Sequence, residues 1–307
     1  KVNPELRKLQ KRKNALNEQY GSLMQEQLDQ LNSKLSSFRS CLQTYYKKRV
    51  KRTWHYVLLA VKEKNGFCLP EFTSKRGCFL EKAYLYSLKT RKNERCIPLD
   101  LNLERGSTIL YGPNMSGKTT VLKTVYFLLT LVQLGLPLPA RKIKLHYPGQ
   151  VALSLKSPGD IRTNSSTYSE ELSFFAEPMK DGAYILSDEL FLSTDPANGV
   201  ILSQIVLQFM AAADRVFFCT THYPEILDTK NTVLCRMEDT DPDLLKKDGY
   251  DLQSMHNLMP YRITPVTDSD REKIRTNVAP LTTALLFDLD EEVKTAIRKH
   301  IDKTVSS

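Results

Sequence analysis

Ser107-Thr-Ile-Leu-Tyr-Gly112-Pro-Asn-Met-Ser-Gly-Lys-Thr-Thr120-Val-Leu-Lys-Thr-Val-Tyr-Phe-Leu-Leu-Thr-Leu-Val-Gln133 is the stretch on which the fold turns. Ser107–Tyr111 reads as a buried strand. From Met115 the pattern runs through a loop into a helix that Gly135 and Pro137 close. Between them, Gly112–Thr119 fits GxxxxGK[ST], in the strand-then-helix context where that spacing cradles phosphate. Gly112 and Gly117 permit backbone angles and a close approach that a Cβ would forbid. Successive N–H groups from Asn114 to Thr120 can then form an anion nest at the positive end of the helix. Lys118 is expected to bridge the β- and γ-phosphates of ATP, and the Thr119 hydroxyl to bind Mg²⁺. Gly112, Pro113, Asn114, Met115, Ser116, Gly117, Lys118, Thr119 and Thr120 are thus the expected nucleotide-binding segment. The plain alternative, a chance match in a glycine turn, does not account for the flanking strand and helix.

A phosphate loop needs a second metal anchor and a group to direct water, both at the end of a neighbouring strand. Tyr184-Ile-Leu-Ser-Asp188-Glu189 has that form: an apolar strand ending in two carboxylates, which emerge on different faces because the side-chain period is two. Asp188 is the expected metal residue beside Thr119, and Glu189 the expected catalytic base that polarises water. His222, after the apolar run Val216–Thr221, is the third element: a polar side chain at a strand tip, able to sense the γ-phosphate. Taken alone, a carboxylate pair is as often structural as functional, and a strand-end histidine is more often a capping or surface residue. Their order after the phosphate loop favours function, with Lys118, Glu189 and His222 as the catalytic set.

Around these motifs, short β-branched or aromatic segments alternate with helical ones, the signature of an α/β domain. Strands are expected at Val151–Leu155, Ala183–Ser187, Val216–Thr220 and Thr232–Met237. Helices are expected at Ser169–Glu177, Ala197–Ala213, Glu272–Phe287 and Glu291–Ile301. Residues 5–64 differ in texture, with no proline and one glycine, Gly21. Leu28, Leu31, Leu35, Phe38, Leu42 and Tyr45 recur at alternating steps of three and four, the seam of a helix packed on a long partner. The register slips near Gly21, where a break or bend is expected. The division is therefore a helical arm over 1–64 and a nucleotide-binding domain over 65–307, with closing helices from about 270.

The arm is strongly basic. Residues 1–64 hold 15 Lys/Arg against 5 Asp/Glu, a net +10, while the other 243 residues hold 29 against 30, a net −1. All the excess of the chain's +9 therefore lies on the arm. That is an electrostatic footprint for nucleic acid or a solvated helix surface, and charge alone leaves both open. The six cysteines are scattered without a CxxC pair, which suits a reducing cytosol better than a zinc site or a disulfide framework. No apolar run is long enough for a membrane helix, and the charged start has no signal-peptide pattern. A cytoplasmic protein is expected. A first residue other than Met suggests a piece of something longer.

Gly112-Pro-Asn-Met-Ser-Gly-Lys-Thr-Thr120 resembles the phosphate loop of the MutS family, GPNMxGKST, which is far narrower than the generic motif. Ser166-Thr-Tyr-Ser-Glu-Glu-Leu172 is similar to that family's STFxxEM segment. Asp188-Glu-Leu-Phe-Leu-Ser-Thr-Asp-Pro-Ala-Asn-Gly199 is similar to DEIGRGTSTxDG, and Cys219-Thr-Thr-His-Tyr223 to ATHY. The likeness runs over about residues 53–300. It implies a P-loop NTPase domain of ABC type that dimerises. Each subunit then places a signature serine against the γ-phosphate held by the other; by position this is Ser166, with Thr167 beside it. From the residues alone, Asn164-Ser-Ser-Thr167 also reads as a helix N-cap. The basic segment stands where lever helices join the ATPase to a DNA clamp in the family. Two departures stand out. Phe191 and Leu192 replace the Gly-Arg-Gly after the carboxylates, and Glu94 and Arg95 stand where the family stacks an aromatic ring on adenine.

The resemblance implies a MutS-like ATPase that hydrolyses Mg-ATP at a homodimer interface and couples nucleotide state to DNA binding, mismatch repair or recombination. The alternative is an ATP-driven remodeller or reactivating factor for a protein partner, such as a cobalamin-dependent aminomutase, without DNA binding. A third reading, a nucleotide-binding module without turnover, is disfavoured by Glu189.

Overall fold

The computed structural model describes residues 4–90, 96–155, 167–238, 260–266, 284 and 290–306. The chain divides into two compact units, Lys1–Ala60 and Val61–Ser307.

The first unit is formed by helix α1, Pro4–Asn65, which continues five residues beyond the unit boundary. Its 62 residues would reach about 90 Å at 1.5 Å per residue. The helix passes through Gly21 unbroken, contrary to the break expected there. One glycine costs a helix only about 1 kcal/mol relative to alanine, too little to interrupt hydrogen bonding that is continuous on both sides. No α1 residue is buried. The stripe from Leu28 to Tyr45, expected to pack on a long partner, is 48% to 68% exposed.

The second unit is built on two sheets. A four-stranded sheet has the order β1 (Glu71–Phe72), β5 (Lys142–Leu145), β2 (Gly77–Ala83), β3 (Leu99–Glu104). Its alternating burial, complete in β3 from Leu99 to Glu104, marks a sheet with one face on the core. A six-stranded sheet has the order β10 (Ile263–Pro265), β9 (Thr232–Met237), β4 (Gly106–Tyr111), β8 (Val216–Thr221), β7 (Tyr184–Ser187), β6 (Val151–Ser154). Five of these strands run parallel and β10 antiparallel. Strands β4, β7 and β8 are buried at every position, as a parallel sheet covered on both faces requires.

The side-chain period of two sorts these strands between two cores. Leu110, Tyr184, Leu186, Val216 and Phe218 face one way, packing with Leu122, Val125, Leu128 and Leu129 of helix α3 (Lys118–Gln133) and with the smaller sheet. Ile109, Tyr111, Ile185, Phe217 and Cys219 face the other way. There they meet Leu207 and Met210 of helix α5 (Pro196–Ala212) and the aromatic residues of helix α4 (Thr167–Ala176). The short helix α2 (Tyr86–Thr90), a 3₁₀ turn at Pro224–Asp228 and the closing helix α6 (Glu291–Ser306) complete the described elements.

The strands read from sequence differ from those observed by one residue or less at either end, and the helices at 169–177 and 197–213 by two or less. Helix α6 begins at Glu291 as expected and runs five residues past Ile301. The helix expected over 272–287 lies outside the described residues, apart from residue 284. No described helix is long and apolar enough to cross a membrane.

Candidate nucleotide site

Register brings the motifs together. Tyr111 pairs with Thr221 across β4 and β8, and Ser187 with Cys219 across β7 and β8. Gly112, Asp188 and His222, each one residue past its strand, therefore emerge at the carboxyl edge of the parallel sheet, Gly112 level with His222 and Asp188 level with Thr220. That edge is where open α/β sheets bind ligands.

The loop from Gly112 to Gly117 is held by its own backbone demands. Gly117 sits at φ +94, and Met115 takes φ +68 despite its side chain. A Cβ on Gly112 would lie 2.9 Å from both the Met237 side chain and Ser116 Oγ. A Cβ on Gly117 would come 3.0 Å from the ring of Tyr261. Ser116 Oγ donates to Pro113 O at 2.7 Å, fastening the turn. Helix α3 then starts at Lys118, so its first N–H groups open towards the loop.

Lys118 is 5% exposed. Its ammonium donates to Gly112 O at 2.7 Å and Pro113 O at 2.9 Å. Burial draws its pKa below the usual lysine value, while Glu189 and Asp188 oppose that shift. A buried cation resting on carbonyls beside an N–H nest is suited to phosphate, which supplies the negative charge the burial lacks.

Asp188 is 6% exposed and doubly bonded. Thr119 Oγ1 donates to Asp188 Oδ2 at 2.7 Å, and Thr220 Oγ1 donates to Asp188 Oδ1 at 2.7 Å. The Glu189 N–H in turn donates to Thr220 Oγ1 at 2.8 Å. Asp188 N–H reaches Ser154 O of β6 at 2.9 Å, and Leu190 N–H reaches Thr220 O at 3.3 Å. One network thus ties phosphate loop, carboxylate pair and β8. The adjacent hydroxyl and carboxylate oxygens of Thr119 and Asp188 are the hard donors that suit Mg²⁺, which completes its shell with water and phosphate oxygens.

Glu189 takes φ +51, turning the chain sharply after β7. His222 Nδ1 lies 3.8 Å from Glu189 Oε1, too far for a hydrogen bond. That nitrogen is buried with no hydrogen-bond partner among the described residues. Such an atom is suited to a water or a phosphate oxygen held between the two side chains. Thr167 is the first residue of α4. Ser166, Glu94 and Arg95 lie outside the described residues.

Three further groups at the site were not singled out in the sequence. Thr220 was legible only as part of Cys219-Thr-Thr-His, with nothing to distinguish its hydroxyl from its neighbour's. Tyr261, at φ +50, sets its ring against Gly117 from more than 140 residues away. Glu171 accepts the Phe191 N–H through Oε1 at 3.2 Å, and its Oε2 accepts the Ser193 hydroxyl.

The match to known proteins covers the same ground. Residues 108–260 match the family described as MutS domain V. The chain belongs to the MutS family. Among its relatives, a Staphylococcus carnosus protein named endonuclease MutS2 is 32% identical over 161 residues, 51% of this chain and 20% of that protein. Proteins of the same name from Staphylococcus aureus and Staphylococcus saprophyticus are 29% identical over 161 residues, covering 22% and 20% of their lengths. The chain thus spans about a fifth of the length of these MutS2 relatives.

Proposed function

We propose that this MutS-family chain is an ATPase, a P-loop domain of ABC type over 65–307 carrying a basic helical arm over 1–64. It binds Mg-ATP, hydrolyses it to ADP and phosphate, and couples nucleotide state to DNA engagement in the cytoplasm. The hydrogen-bond chain from Thr119 through Asp188 and Thr220 to the Glu189 N–H carries the reading, because it ties a hydroxyl and carboxylate suited to a metal to the backbone of a second acidic residue, beside a candidate phosphate cradle.

In this reading the segment Gly112–Thr120 wraps the β- and γ-phosphates. Lys118 leaves the carbonyls of Gly112 and Pro113 for phosphate oxygens. Thr119 and Asp188 would hold Mg²⁺, which when bound would supply charge neutralisation at the phosphates. Glu189 takes a proton from the attacking water, while His222 steadies that water or the γ-phosphate. Each active site is completed by Ser166 and Thr167 of a second copy, so the working unit is a homodimer.

The decisive measurement is steady-state ATPase activity beside nucleotide binding. Lys118→Ala should abolish both. Glu189→Gln should keep ATP binding and lower turnover by about 100-fold or more, the scale expected for losing a general base. Unchanged turnover in Glu189→Gln removes that assignment, and normal ATP binding by Lys118→Ala removes the phosphate site.

A second reading, an ATP-driven remodeller of a protein partner, is favoured by one observation: the apolar stripe from Leu28 to Tyr45 on α1 is exposed. Tight duplex binding by the arm counts against it.

A further inference from the structure

The turn after Glu189 is costly to hold. Glu189 and Phe191 sit at φ +51 and +50, a left-handed conformation that disfavours non-glycine residues. Phe191 is 1% exposed, so its ring is committed to the core although its backbone is strained. Something must fix the turn in place, and the contacts converge on α4. Glu171 takes the Phe191 N–H and the Ser193 hydroxyl with its two carboxylate oxygens. One helical turn on, the Phe175 ring packs on Phe191 at 5.5 Å between centroids and on Phe217 of β8 at 6.1 Å. Residues 171 and 175, four apart, lie on one face of the helix. Inside the turn, Leu192 N–H returns to Glu189 O at 3.3 Å, so a shift at residue 191 is passed directly to residue 189.

We propose that Glu171 is a positioning residue for Glu189. It clamps the turn that aims the water-directing carboxylate, and it links that turn to the helix whose first residue is Thr167. The inference rests on the ATPase reading. Phe191, which stands where the family pattern has its first glycine, gives the turn a fixed attachment to α4.

Glu171→Ala should lower kcat by about 10- to 100-fold, the scale of a misplaced catalytic group, with KM for ATP within about twofold. Glu171→Gln, which keeps an oxygen for the Phe191 N–H, should recover kcat to within about fivefold of the parent. Amide hydrogen exchange at Phe191 should quicken in Glu171→Ala and remain slow in Glu171→Gln, with circular dichroism confirming that both variants fold. Parent-like kcat in Glu171→Ala overturns the inference and leaves the ATPase reading standing, as does a rise in KM at constant kcat. Absence of turnover in the parent protein overturns both. If Glu171→Ala does not fold, Glu171→Gln and Ser193→Ala decide: the clamp is rejected if neither alters kcat or exchange at Phe191.

Discussion

The Thr220 hydroxyl is spent in both directions: it donates to Asp188 Oδ1 and accepts from the Glu189 N–H. A methyl group in its place leaves a buried carboxylate oxygen and a backbone donor each short of a partner. The cost of such unmade bonds is about 1–3 kcal/mol, larger than the fraction of a kcal/mol gained by burying one more methyl. Thr220→Val should therefore lower the melting temperature by roughly 2–12 °C at 2–4 °C per kcal/mol, and raise the Mg²⁺ concentration that ATP turnover needs, while Thr220→Ser stays near the parent. Thermal unfolding with and without Mg-ATP measures it, and a parent-like Thr220→Val rejects the network as a support for Asp188. The deep burial of Cys219, one residue earlier, is of the ordinary kind: its thiol pKa is pushed up to about 12 by desolvation, leaving it inert as a nucleophile.

Between elements, α5 lies against the turn after β7. Asp195 caps α5 by accepting the Asn198 N–H at 3.1 Å, with Pro196 at the first helical position, so the helix start is locally encoded. Gly199 in the next turn is not explained by helix propensity, where alanine would be better by about 1 kcal/mol. A Cβ there would lie 2.6 Å from Phe191 O, a backbone atom with no freedom to swing away. The contact outweighs the propensity, so Gly199→Ala should destabilise the fold rather than stabilise it, and should lower kcat by displacing the turn that carries Glu189. Chemical denaturation paired with ATPase measurement checks this, and a stabilised variant with parent-like turnover would show that the turn yields freely. Both elements, α5 and the strand before the turn, were legible in the alternation of helical and strand-like segments. That alternation gave no sign that residues 171, 191 and 199 meet, because no local pattern encodes a contact between helices separated by a strand.

On the scale of the molecule, charge and chemistry are separated along the chain. Nearly all of the +10 of residues 1–64 falls on a helix without a buried residue, and the near-neutral remainder holds the cores and the candidate nucleotide site. If the arm grips duplex DNA by neutralising about five phosphates, affinity should fall several hundred-fold between 50 and 200 mM salt, roughly. A flat salt dependence in a DNA titration would remove the nucleic-acid reading and leave the apolar stripe as the arm's working surface. The sequence by itself determined the loop between β4 and α3, the strand that ends before Asp188 and Glu189, the α/β class and the helical arm. Each is written in spacing between near neighbours along the chain, where backbone geometry and side-chain period act locally. Only the tertiary structure decided that Thr220 bridges the two carboxylate positions, that Tyr261 lies against Gly117, and that Glu171 holds the turn after Glu189. Those contacts arise from strand order and register, which set residues far apart in sequence against one another, and no short pattern can specify them.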